Sequence, residues 1–385
     1  MADIRPIGGL GKLSVVAMVA AIAGIALFVL GMNEPHAWKS FHFGFVAWSF
    51  FTCGCLAMVI LINVTRGTWG YPLIRFFEAG AKLLPFMFLL ALVMLAMKSQ
   101  IYEWANPEIV SHSLNYQHKT AGYLSEFWFS ARTVIYFAFW SICAFVLIGL
   151  YKKEDQTGEE KFFNKRTVLA APMAIFFVIT LTGAATDWIM SLEEFWYSTI
   201  YGLLVTVGCA LSAMAAGTLY LVSMWKREAY AHLLTVRQWR DMGNLLLTMV
   251  ILWGYMSFSQ YLIIWSGNLP EEIVYFVKRR EGMWMFVGTA LVFAHFLLPF
   301  FLLLSSRLKR TPWMLGTTVV FILAMRVVDL MFNMIPSMGR ELQLTDLGAF
   351  LGIGGLWFII FAQLLAKAEP TPRYSLLPKE AIEHA

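Results

Sequence analysis

Residues 242–273 read MGNLLLTMVILWGYMSFSQYLIIWSGNLPEEI, and this stretch decides what kind of protein the chain is. Positions 242–265 carry no charge and exceed the roughly 20 mostly apolar residues that a helix needs to cross a bilayer. The turn after it, Ser-Gly-Asn-Leu-Pro, ends the helix sharply, since Gly and Pro both stop helices. Two carboxylates, Glu271 and Glu272, follow at once. What they face depends on which side of the membrane the turn lies.

The whole chain has the same character. Its 385 residues are 59% hydrophobic and 14% charged, with a mean hydropathy of +0.67, whereas soluble domains carry about 25% charged residues. This is the composition of an all-α integral membrane protein, with no separate soluble domain. The formal charge of +5 does not imply nucleic acid, because membrane proteins gather Lys and Arg on one face. Ten spans are expected, at 12–31, 44–64, 81–98, 131–150, 167–189, 197–225, 242–265, 283–305, 312–333 and 346–366. The apolar run of the first is too long for a cleaved signal, and "GMNEPH" after it is no small-residue cleavage site. Helices 2–5 (44–189) and 6–9 (197–333) are compatible with two four-helix units in one orientation, although no internal repeat is visible. Residues 367–385 form a tail.

Of the 29 Lys and Arg, 20 fall on the side of the two termini and the loops after helices 2, 4, 6 and 8. Only eight fall on the other side. Positive-inside then places both termini in the cytoplasm and the 266–272 turn outside. The loop "YKKEDQTGEEKFFNKR" (151–166) reads as a solvated turn, and Ser99–Phe129 as a folded outer cap.

Charges inside spans are costly and mark candidate sites. Helix 9 carries "AMRVVDLMFN", with Arg326 and Asp329 spaced i, i+3 on one face. His295 in "TALVFAHFLLPF" lies about 18 Å from the outer end of helix 8, and Arg326 about 10 Å below that of helix 9. Ser257 and Gln260 bring a hydroxyl and an amide to similar depth on helix 7. "TDWIMSLEEFWYS" places Asp187 at the outer boundary, with Glu193 and Glu194 beyond it. Glu78 and Lys82 are i, i+4 partners at the start of helix 3. Each has a bland alternative: a structural ion pair at 326/329 and at 78/82, a histidine bonded to a neighbouring carbonyl, a solvated turn at 271/272. The proton-transfer candidates are His295, Arg326, Asp329, Asp187, Glu78, Gln260 and Ser257. Candidates for an outer mouth or a partner contact are Glu193, Glu194, Asn268, Glu271 and Glu272.

No cofactor is expected on this chain. Cys53, Cys55, Cys143 and Cys209 all sit in apolar stretches as packing residues. A membrane b-type haem wants two histidines on facing helices; of His36, His42, His112, His118, His232, His295 and His384 only His295 is deep. There is no Gly-rich phosphate loop and no His/Glu metal cluster.

Taken together, "FSQYLIIWSGNLPEEI", "TDWIMSLEEFWYSTIYG", "DMGNLLL", "RVVDL" and "WGYPLIRFFEAGAKLLP" resemble one family along nearly the whole chain. It is the smaller of the two polysulfide-reductase-like (NrfD/PsrC-like) membrane subunits of alternative complex III, a bacterial respiratory quinol:electron-acceptor oxidoreductase. One departure is "LINVTRGTWG", where the family pattern expects a histidine and the chain has Val64, preceded by Asn63. The resemblance implies two four-helix bundles flanked by peripheral helices 1 and 10, in the bacterial inner membrane. It implies partners as well: the larger membrane subunit, thought to oxidise quinol, an iron–sulfur subunit, haem c subunits and other small membrane subunits. Haem c and iron–sulfur clusters would sit on those partners, and no catalytic chemistry is expected on this chain alone. Its implied role is proton movement and anchoring. The competing readings are a stand-alone secondary transporter, for which mid-membrane charge also fits, and a purely structural subunit.

Overall fold

The computed structural model describes residues 11–227, 230 and 234–373, with the side chains of 11–13 and of Glu271 outside that description. Among the described residues there are helices and no strand. Nine helices among the described residues are long and apolar enough to cross a membrane: α2 (Ala37–Thr65), α3 (Ile74–Ala96), α4 (Glu126–Thr157), α5 (Glu160–Leu192), α6 (Tyr201–Met224), α7 (Val236–Gly267), α8 (Gly282–Leu304), α9 (Pro312–Met338) and α10 (Leu344–Ala366). They follow α1 (Gly11–Leu30), a shorter apolar helix over its described part. The chain is an all-α multi-pass membrane protein.

Helices α2–α5 pack on one another, and α6–α9 do the same. The two bundles meet where α6 lies against α2 and α5. α10 covers α2, and α1 covers α10. That outer seam is built of small residues: a Cβ on Gly355 would stand 2.4 Å from the backbone nitrogen of Ala21, so the two backbones touch. Small residues give membrane helices the close approach that water-driven burial cannot supply.

The helices run past their apolar cores, and the reason is polar pairing. α4 continues to Thr157, Gly158 turns the chain at φ 69°, and α5 starts at Glu160. The 151–166 stretch is solvated at its turn, where 156–161 are exposed, but not throughout. It holds an ion pair between Glu154 and Arg166, which are 2% and 1% exposed, and Arg166 also donates to Asn63 Oδ1 at 3.1 Å. Likewise α2 starts at Ala37, because His42 and Ser40 are buried with hydrogen-bond partners.

All loops on one end carry the cap. Residues 98–121 form short helices there, and Pro270–Lys278 forms another over the second bundle. The 266–272 turn stops α7 by a route the sequence does not suggest. Gly267 is still helical, and Asn268 takes the left-handed conformation (φ 48°) that ends the helix. Pro270 then opens the short helix, where its missing N–H costs nothing.

α8 is irregular at its middle. Leu291–Leu297 winds as a π-helix, with His295 inside it. Pro299 follows; it has no N–H for the carbonyl of His295, four residues earlier, and the widened turn absorbs the defect.

Candidate functional site

Each bundle holds a buried polar cluster that includes candidate residues, the first toward the cap end and the second near mid-helix; a further buried pair, Arg340 with Asp346, lies at the turn between α9 and α10. In the first bundle the last regular turn of α5 carries Asp187, fully buried. Arg132 of α4 donates to both its oxygens, at 2.9 and 2.8 Å, and the Tyr136 hydroxyl donates at 2.9 Å. The Arg132 guanidinium also holds the Tyr123 carbonyl and lies 3.8 Å over the Tyr123 ring. Nearby, His42 Nε2 is 2.7 Å from the Trp188 carbonyl and 3.3 Å from the Tyr102 hydroxyl. Asp187 is thus locked within the first bundle. It does not join the other outer-half proton-transfer candidates, His295, Arg326 and Asp329, because its partners Arg132 and Tyr136 both come from α4.

In the second bundle α9 carries three polar residues along one face, at i, i+3 and i+7. Arg326 Nη1 donates to Asp329 Oδ2 at 2.5 Å, and Asn333 Nδ2 reaches Asp329 Oδ1 at 3.2 Å. Trp253 of α7 donates its Nε1–H to the same carboxylate at 3.3 Å. Arg326 Nε meets the Ser212 hydroxyl of α6 at 3.3 Å. The guanidinium fits only because α6 has no side chain there: a Cβ on Gly208 would stand 2.2 Å from Arg326 Nη2. α9 continues to Met338, so Arg326 lies close to mid-helix, deeper than a helix ending at 333 would put it.

His295 is fully buried, and its ring centroid is 4.2 Å from that of Trp253. Neither ring nitrogen has a partner among the described residues. Trp253 therefore touches the histidine with its ring and the carboxylate with its N–H. A buried imidazole without partners is costly, and the widened π turn that carries it is a form often found at functional positions.

Two cavities flank Asp329. One, of about 500 Å³, is a cleft between α7, α8 and α9 that opens to the bundle surface beside Phe258, Met285 and Val292 and is lined by Trp253, Ser257, Gln260, Asp329 and Asn333. The other, of about 260 Å³, lies between α2, α6, α9 and α10 and is reached by Arg326, Asp329 and Asn333. Asp329 and Asn333 form the partition between them. Ser257 and Gln260 line the same cavity as Asp329, and Gln260 accepts from Ser198 at 3.3 Å.

The cap end closes over the larger cavity through Arg279, which sequence reasoning missed. Its guanidinium donates to the carbonyls of Tyr275, Phe332 and Asn333 and to the Ser337 hydroxyl, at 2.7–2.9 Å. It stacks 3.4 Å over Tyr275. Burial pushes the Tyr275 phenol up to about 12, with Arg279 pulling the other way, so it stays a donor to Asn333 Oδ1 at 2.9 Å.

The remaining candidates lie elsewhere. Glu78 is at the opposite end, and its partner is Arg75 at 2.8 Å, three residues earlier, rather than Lys82; Arg75 also pairs with Asp155. Glu193 is buried and holds Lys278 at 2.7 Å and Arg279 at 3.8 Å. Glu194 binds Ser113 through its carboxylate, and its carbonyl takes Asn115 and Lys119. Burial lowers the Lys119 pKa, against the pull of Glu194. These two glutamates therefore tie the chain's own cap together. Glu272 is half-buried, and the Glu271 side chain lies outside the described residues. Among the described residues no three His, Cys, Asp or Glu side chains gather as a metal would require.

Comparison with family models and with curated proteins returns no match. Fold and site together define a helical multi-pass membrane protein with a charge pair buried between two cavities.

Proposed function

We propose that this chain is a membrane subunit of a respiratory quinol:electron-acceptor oxidoreductase in the bacterial inner membrane, of the smaller polysulfide-reductase-like type. In this reading both termini are cytoplasmic and the cap faces outward. The chain anchors extrinsic iron–sulfur and haem c subunits beside its larger sister, and the second bundle passes protons. The motifs quoted above support the family. One observation carries the proton role: the Arg326–Asp329 pair stands between two cavities, beside a buried His295 with no partner among the described residues.

The chemistry follows from charge. With Asp329 ionised the pair is neutral, which is how a buried carboxylate is tolerated. A proton reaching Asp329 leaves Arg326 as a net charge inside the membrane, an unfavourable state that sends the proton on. Such a pair relays rather than stores. Water in the larger cavity, held by Ser257, Gln260 and Asn333, would carry the proton toward the cap. The imidazole of His295, separated from Asp329 by the Trp253 ring, offers the next acceptor when that ring moves.

The test is Asp329→Asn in the assembled complex. It keeps the side-chain volume, removes the charge and leaves Arg326 unpaired, so assembly is checked first. Slower quinol oxidation or fewer protons released per electron is expected. Unchanged turnover and unchanged proton yield in an assembled variant would make the pair structural. The 500 Å³ cavity favours one competing reading, a stand-alone transporter. Gentle extraction separates the two, because a transporter purifies alone and without haem absorbance.

A further inference from the structure

The end opposite the cap treats its cations in two ways. Under the first bundle the buried guanidiniums meet acid: Arg75 pairs with Glu78 and Asp155, and Arg166 pairs with Glu154. Under the second bundle they meet none. The short helix Ser306–Arg310 joins α8 to α9 and packs against α7. Its Lys309 is buried and donates to Asn244 Oδ1 at 2.7 Å. The lysine stem crosses Gly243, where a Cβ would stand 2.5 Å from Lys309 Cγ. Arg240 lies close enough that it adds to burial in lowering the Lys309 pKa.

Around this lysine, Arg237, Arg240, Arg307 and Arg310 are all exposed. Arg237, Arg240 and Asn244 are spaced i, i+3 and i+7, on one face of α7. None of the four guanidiniums forms an ion pair or side-chain hydrogen bond among the described residues, and neither does Asp241, the one acid on this part of α7. Among the described residues five cations on these two helices thus stand against one carboxylate, Asp241, an excess of charge that calls for an external anion. The neighbouring surface is apolar. Trp313, in the first turn of the spanning helix α9, is 67% exposed, and Val236, in the first turn of α7, is 59% exposed. A tryptophan exposed at the end of a membrane helix sits at headgroup level.

We propose that this patch is a binding site for the phosphate headgroup of an anionic phospholipid. Guanidinium forks match phosphate oxygens in pairs, and the two helices that pack together here carry four of them, all exposed. Trp313 and Val236 lie along the acyl chains. A lipid, rather than an acidic protein, is the occupant because charge and exposed apolar surface meet at the ends of two spanning helices. The site is independent of the proton role and of the direction in which the chain crosses the membrane.

The experiment is native mass spectrometry of the purified full chain, or of the complex that carries it, titrated with phosphatidylglycerol or phosphatidylcholine. The patch variant is Arg240→Gln/Arg307→Gln/Arg310→Gln. The control, Lys152→Gln/Lys153→Gln/Lys165→Gln, removes as many exposed charges from the same end under the first bundle. Each cation near a lipid phosphate contributes about 1 kcal/mol, roughly fivefold in affinity. The wild type should therefore prefer phosphatidylglycerol by at least about tenfold, the patch variant should lose at least about tenfold, and the control should stay within about twofold. Equal retention of the two lipids overturns the proposal. So does equal loss in the two variants, which would mean general surface charge. A patch variant that keeps the lipid but sheds a co-purifying protein overturns it in favour of a protein interface.

Discussion

The two four-helix bundles are built from the same materials and use them oppositely. In the first, buried charge is closed at both ends: Asp187 takes three donors from Arg132 and Tyr136, and Arg166 pairs with Glu154 at the far end. Beside Asp187 the packing is aromatic, with Trp188 set among Phe45, Phe50, Phe137 and Trp140. In the second, the charge pair lies at mid-helix with a cavity on either side, and a buried histidine is left without a partner. A closed pair costs little once made and costs much to break, so it fixes a structure. A pair beside open volume can exchange its proton. Under the proposed function the first bundle is the scaffold and the second the working half.

The largest expected effect tests the scaffold. Arg132→Ala leaves Asp187 buried without its cation, and breaking such a pair costs about 3–5 kcal/mol. The folded protein should be lost or its thermal transition in detergent should fall steeply. A transition that hardly moves would deny that the first bundle is locked.

Next comes the seat of the working pair. Gly208→Ala drives a Cβ into Arg326 Nη2, and overpacking of this kind costs about 1–3 kcal/mol. The guanidinium can relieve the clash only by leaving Ser212 or Asp329. Proton yield should therefore fall in a complex that still assembles, and an unaffected yield would separate the pair's geometry from function.

Trp253→Phe is gentler. It keeps a ring against His295 but removes the N–H that Asp329 accepts, a loss of about 0.5–1.5 kcal/mol. Stability should drop by that amount, and the proton yield should respond more than the stability does.

The smallest effect is on pH dependence at the cap. The Tyr275 phenol ionises at about 12 in the folded chain, against an ordinary 10.0. A raised pKa means stability present in full below the ordinary value and lost as pH climbs through the folded one. Alkaline titration of the thermal transition should therefore be flatter between about pH 10 and 12 in Tyr275→Phe than in the wild type. Identical slopes would show that the phenol reaches water.

Much of this was legible one helix at a time. The spans followed from runs of apolar residues, and the Arg326–Asp329 pair followed from i, i+3 spacing on a single helix. Asn333, a further turn along on the same face, could have been added by that rule. Contacts between helices were not legible. Arg132, at the outer end of the expected span 131–150, carries no sign in the sequence that it is the partner of Asp187, 55 residues away. Glu78 looked like the partner of Lys82 and belongs to Arg75, which also reaches Asp155 across to α4. The 151–166 stretch looked solvated because its charges balance only when two helices meet.

By itself, the sequence determined that the chain lives in a membrane as helices, because a bilayer leaves a backbone no other way to satisfy its hydrogen bonds over so many apolar residues. It also determined that charge is buried in α9, since no register of that helix can place both Arg326 and Asp329 outside. Tertiary structure alone decided which charges are closed and which stand beside open space. That outcome depends on how whole bundles pack: on Gly208 admitting a guanidinium, on the π turn that carries His295, and on volume left between helices far apart in the chain. Spacing along one helix holds no record of those distances.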